Sequence, residues 1–120
     1  MALTNESRRQ AGLPPVSVDD KLMAAARAKL FDMLKRDYFA HRAPDGRQPW
    51  AFMRAAGYRF QVAAENLARG YDDEPALQRA WMKSRGHRAN ILNPQFTEIG
   101  VADANGIVVV MFARPLTPKP

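Results

Sequence analysis

Six consecutive apolar residues, Ile107-Val108-Val109-Val110-Met111-Phe112, follow directly on Asn105-Gly106. A strand alternates its side chains between two faces, so an unbroken apolar run asks for cover on both. Asn-Gly tolerates the positive φ angles of a tight hairpin turn, and a second run, Thr97-Glu98-Ile99-Gly100-Val101-Ala102, stands across Asp103-Ala104 on its other side. The expectation is a hairpin inside a sheet that carries helices on both faces.

The preceding residues supply those helices. A short polar helix from Thr4 to Gln10 is closed by Gly12 and by Pro14-Pro15. Ser17-Val18-Asp19-Asp20 has the spacing of a capping box and opens a run in which Leu22, Ala26, Leu30, Met33 and Leu34 recur at helical intervals, predicting a helix from Asp19 to Asp37. Pro44-Asp45-Gly46 is a turn, which puts His41 at a helix exit. Pro49 begins a short helix through Trp50, Phe52 and Met53, stopped by Gly57. Those three apolar residues could line a lipid groove, but core packing is the reading preferred. The partly alternating stretch Tyr58 to Ala68 is a strand candidate. Asp72-Asp73-Glu74-Pro75 starts a helix that places Leu77, Ala80, Trp81 and Ser84 on one face and ends near Gly86, with Trp81 read as core. The tail Arg114 to Pro120 is expected to lie outside the domain, which spans 1–113, because its prolines cannot pair in a central strand.

At 120 residues and 47% apolar the chain has the size of one domain with one core, and a monomer is expected. No window approaches the roughly 18 apolar residues of a membrane span, and the first residues lack a basic-then-apolar leader, which reads as a mature protein or an excised domain. Without cysteine, any metal site must use nitrogen and oxygen, and nothing requires a cofactor for folding. The net charge of +6 favours an anionic partner, from a small ligand to lipid or a cell-envelope polymer, but the basic residues form no run and no nucleic-acid motif, which argues against sequence-specific nucleic-acid binding.

The chain has only two histidines. His87 directly follows Gly86, read here as a helix terminator, so both imidazoles are expected at helix-to-loop junctions where they could exchange protons or ligate a metal. Arg42, Arg85 and Arg88 flank them; any of these turned inward would suit an anionic group, although each is more simply a solvated helix-end charge. Ser84 lies three residues before His87, within reach on a helix end, yet no oxyanion hole can be read to make it a nucleophile.

In order, Asn5-x-x-Arg8-x-x-x-Gly12-Leu13, His41-x-x-Pro44-Asp45-Gly46, Gly57-Tyr58, Glu65-Asn66-Leu67-Ala68, Trp81-x-x-Ser84-x-Gly86-His87-Arg88-x-Asn90-Ile91-Leu92 and Phe96-x-x-Ile99-Gly100-Val101 resemble the CAP superfamily. It is named for cysteine-rich secretory, antigen 5 and pathogenesis-related proteins, and is also called the SCP domain; the likeness is to its short, cysteine-free bacterial branch. The resemblance implies an α+β fold, an α-β-α sandwich with a small antiparallel sheet covered by helices on both faces. It implies a cleft at His41, Glu65 and His87, in some members holding a divalent cation such as Zn²⁺, here with Glu65 acting in part through water. Where the family has a second glutamate this chain has Ser84, which weakens a metal site, and Glu98 does not match the motif. Asn66 and Asn90 follow family motifs and are read as satisfying loop backbone, with Asn66 a candidate ligand contact beside Ser84. The resemblance also implies an extracellular, periplasmic or cell-envelope setting. The function expected is a binding module for a divalent cation or a small polar or anionic ligand, the alternatives being a metal-assisted hydrolase with Glu65 as general base, or an adhesive envelope domain.

Overall fold

A computed structural model describes residues 1–117. Five helices, α1 (Ala2–Gln10), α2 (Asp20–Arg36), α3 (Pro49–Ala55), α4 (Glu74–Lys83) and α5 (Arg85–Ile91), surround four strands, β1 (Ser17–Val18), β2 (Phe60–Arg69), β3 (Glu98–Ala104) and β4 (Ile107–Pro115). The sheet order is β1-β3-β4-β2, so the apolar run occupies an interior strand.

The β3–β4 hairpin turns on Asn105 and Gly106, both with positive φ (53° and 77°), as a two-residue turn matched to strand twist requires. Along β4, Val109, Met111 and Ala113 join the core formed with α2 and α3, while Val110 and Phe112 join a second core with Leu77, Trp81 and Ile91 of α4 and α5. The expected two-sided cover is present, and Phe52 and Met53 are core residues.

Four local readings are corrected. The cap of α2 is Asp19, whose side chain accepts from the Leu22 amide at 2.9 Å, while Ser17 instead pairs in β1 with Glu98. That pairing is parallel, so the sheet is mixed at one edge rather than wholly antiparallel. Arg114 and Pro115 belong to β4, opposite Val62 and Phe60; β2 is the outer strand there, so a proline at the end of the ladder costs little. Leu116 and Thr117 follow as a bend, with the Leu116 N–H donating to the Arg59 carbonyl at 3.0 Å, and residues 118–120 lie outside the described residues.

The fourth correction bears on the site. Helix α4 ends at Ser84, whose backbone is extended (φ −96°, ψ 121°), and a separate helix α5 starts at Arg85. Gly86 therefore lies in the first turn of α5 rather than closing a helix, and His87 is carried by a helix of its own. The buried guanidinium of Arg8 anchors that helix to α1, donating to the carbonyls of Pro14, Ile91, Asn93 and Phe96 at 2.8 to 3.2 Å.

Two glycines make opposite predictions. A Cβ on Gly100 would stand 2.2 Å from the Leu22 carbonyl carbon, because α2 crosses β3 at backbone contact, whereas a Cβ on Gly86 meets nothing within 4 Å. In urea unfolding, Gly100→Ala should lose about 3 kcal/mol or more through a clash with backbone that cannot rotate away. Gly86→Ala should gain roughly 0.5–1 kcal/mol as a better helix former.

Candidate functional site

The cleft is built around β2, the edge strand, because alternate residues there face different helical layers. Glu65 points to the α2 side, where its Oε1 lies 2.9 Å from Nδ1 of His41 in the loop after α2. Asn66 points to the α5 side, where its Nδ2 donates to the His87 carbonyl at 3.2 Å and its Oδ1 accepts from Nδ2 of Asn90 at 2.8 Å. Successive residues of one strand thus grip the two histidines. Asn66 is fully buried, so its role is to position α5 rather than to touch a ligand.

The tautomer of His41 follows from its partner. A carboxylate only accepts, so Nδ1 carries the proton and Nε2 of the neutral ring presents a lone pair. His87 has Nδ1 within 2.8 Å of Ser84 Oγ, and its ring stacks on Trp81 with centroids 5.9 Å apart. Among the described residues, neither Nε2 has a protein hydrogen-bond partner. Trp81 is buried, as expected of a core residue, and its indole forms the floor against which His87 is held.

Beside His87 runs a groove of about 350 Å³ lined by Phe39, Leu67, Ala68, Arg69, Tyr71, Ala80, Trp81, Ser84 and His87. Its arginine is Arg69, whose guanidinium lies 4.6 Å from the Phe39 ring centroid. None of the flanking arginines lines it: Arg42 and Arg85 are exposed, and exposed Arg88 turns back to the Met82 carbonyl at 3.4 Å. Glu98 is not part of the cleft; buried beside β1, it accepts from the Tyr58 hydroxyl at 2.7 Å.

A further component lies under the cleft. Lys29, fully buried, brings Nζ to 3.2 Å from Glu65 Oε1 and also donates to the His41 carbonyl. Burial pulls its ammonium below the ordinary lysine range and the Glu65 charge opposes that. The residue was readable in principle: Lys29 falls seven positions after Leu22, inside the apolar stripe of α2, where a lysine is out of place. Arg69 and Tyr71 carried no comparable signal, since exposed residues at and just beyond the end of a strand are ordinary.

The family model for the cysteine-rich secretory protein (CAP) family matches residues 1–108. The chain belongs to the CAP family. The protein YkwD of Bacillus subtilis is 44% identical over 99 residues, which are 82% of this chain and 38% of YkwD. An extracellular protein containing an SCP domain from Bacillus anthracis superposes with a TM-score of 0.87 at 32% identity, over 92% of this chain and 37% of that one. An outer surface protein of Borrelia burgdorferi shares the fold at 22% identity, with a TM-score of 0.86 over 95% of this chain and 88% of its own. This CAP domain thus spans less than two fifths of the two Bacillus proteins. Despite the family's name, it has no cysteine.

For the divalent cation found in some members, the donor set decides the fit. Among the described residues, no three His, Asp or Glu side chains gather closely enough to hold a metal ion. Glu65 serves His41 and Lys29 through Oε1, and its Oε2 is buried without a hydrogen-bond partner among the described residues. In this CAP domain Glu65 Oε1 orients the His41 imidazole and pairs with Lys29.

Burial, and after it the nearby charge of His41, hold the pKa of His87 below the ordinary 6.5. Folding thus favours the neutral ring, and the stability it contributes is complete above 6.5 and is lost as pH falls through the lower folded value. Between pH 7.5 and 5, urea unfolding of the native chain should lose more stability than that of His87→Gln; equal losses would show that His87 titrates normally.

Proposed function

We propose that this CAP domain is a binding module of the bacterial cell exterior whose cleft takes a small polar ligand bearing an anionic group. The observation that carries this reading is that His41 and His87 each spend Nδ1 on the protein and leave Nε2 without a hydrogen-bond partner among the described residues, with His87 lining the groove and His41 lying outside its lining. His41 offers an acceptor to a ligand hydroxyl or N–H, Ser84 offers a hydroxyl, and Arg69 at the groove supplies a forked cation for a carboxylate or phosphate. Phe39, Tyr71 and Trp81 add apolar walls. The exterior setting is supported by the relatives described as extracellular and outer surface proteins.

Hydrolysis is less well served. Glu65 as general base would have to draw a proton from water, but Oε1 already accepts from an ammonium and an imidazole, and Oε2 is buried. His87 and Ser84 meet through Nδ1, and among the described residues no carboxylate orients the other ring nitrogen.

Inorganic phosphate is a simple probe of this reading. Its titration should move the His41 and His87 ring signals in NMR along one saturating curve. Ser84→Ala and Arg69→Gln should each weaken binding about tenfold, the value of one charge-assisted hydrogen bond. Rings that move independently or without saturation would remove the reading. A response abolished by moderate salt in both variants and native chain alike would place the anion on the positive surface instead.

A further inference from the structure

Lys29 lies under the cleft, and binding, as described above, does not use it. Its side chain is 0% exposed and that of Glu65 1% exposed, and their charged atoms stand 3.2 Å apart. Lys29 is held there by the His41 carbonyl and lies 5.6 Å from the Phe52 ring centroid. An ammonium and a carboxylate withdrawn from water at this distance compensate each other, and neither can be spared without leaving the other uncompensated. The surrounding charges are matched as well: Asp32 pairs with Arg36 and Arg47, and Asp45 with the same two arginines. The floor of the cleft consequently presents no surplus negative charge.

A divalent cation entering between His41 and His87 would find Glu65 Oε1 serving two donors and Oε2 buried, with the Lys29 ammonium 3.2 Å from Oε1. Repulsion between like charges is strongest where water is excluded, and Lys29 and Glu65 are both withdrawn from it. We propose that Lys29 sets the ligand class of this cleft: it is the resident cation of Glu65, keeps that carboxylate out of metal coordination, and leaves a floor that favours a neutral or anionic group over a divalent cation. The inference rests on the cleft being a ligand site, and the protein would have to lose Lys29 before Glu65 could join His41 and His87 around a metal.

Lys29→Met removes the charge and keeps a long flexible side chain. Zinc alone is the probe, followed by the two histidine ring signals and the Glu65 carboxyl carbon in NMR. In the native chain, Zn²⁺ should bind weakly through the rings, or not at all, and the Glu65 carboxyl signal should stay in place. In Lys29→Met, Zn²⁺ affinity should rise about tenfold or more as a carboxylate ligand is gained. The Glu65 signal should then move with the rings, and adding Glu65→Gln should abolish the gain. A Glu65 signal that moves with Zn²⁺ in the native chain overturns the proposal, as does a folded Lys29→Met that binds Zn²⁺ no better than native. Should Lys29→Met fail to fold by circular dichroism, the milder Lys29→Gln takes its place with the same expected gain, while the native carboxyl signal decides independently of any variant. Phosphate is titrated into the same samples. Phosphate silent in every variant defeats the cleft reading, whereas phosphate bound by native protein with Zn²⁺ indifferent to Lys29 defeats only this role.

Discussion

Strand β4 places Val109 and Met111 against one helical layer and Val110 and Phe112 against the other, all of them buried, so the sheet is stable only while both layers are in place. At roughly 1.5–3 kcal/mol for each large apolar side chain withdrawn from water, these four residues alone tie both layers to the centre of the sheet. The sheet then stands as a wall between the layers. A residue carried by the α2 side and one carried by α5 can share a site only around an edge of that wall. Strand β2 is such an edge, and its alternation hands Glu65 to one layer and Asn66 to the other.

Two buried cations hold this arrangement by different means. Arg8 lies against four backbone carbonyls, with α1 on one side and the end of α5 on the other, so its planar, many-donor head acts as a structural pin on the helix that carries His87. Lys29 meets a carboxylate and a single carbonyl on the opposite layer. The compact ammonium there neutralises one acid, and in doing so it touches the chemistry of the cleft. Removing either side of such a buried pair typically costs about 3–5 kcal/mol, which makes the contact part of the fold as well as of the site.

Much of this was legible in the residues. The apolar run after Asn105-Gly106 required a hairpin and two covering layers, and both are present. The motif order from Asn5 to Phe112 pointed to the family that the family match establishes. The departures are local: strand partners override residue preference at Ser17 and Arg114, and at Gly86 the helix break falls two residues earlier. Ser84 adopts the extended backbone that ends α4, Glu98 draws Ser17 into a parallel pair, and Val62 takes Arg114 into the ladder.

The sequence by itself determined the imidazoles and the carboxylate of the site, since two histidines, one matching glutamate and no cysteine leave few choices, while Lys29 and Arg69 came from the structure. It also determined the layering, because hydrophobic periodicity is local and survives any tertiary arrangement. Only the tertiary structure decided what those residues can do. Whether Glu65 serves as a metal ligand, a base or an anchor depends on which charge lies beside it, and Lys29 is separated from it by 36 positions in the chain. Electrostatic interaction falls with distance in space and rises with the exclusion of water, and neither quantity is written in the order of residues.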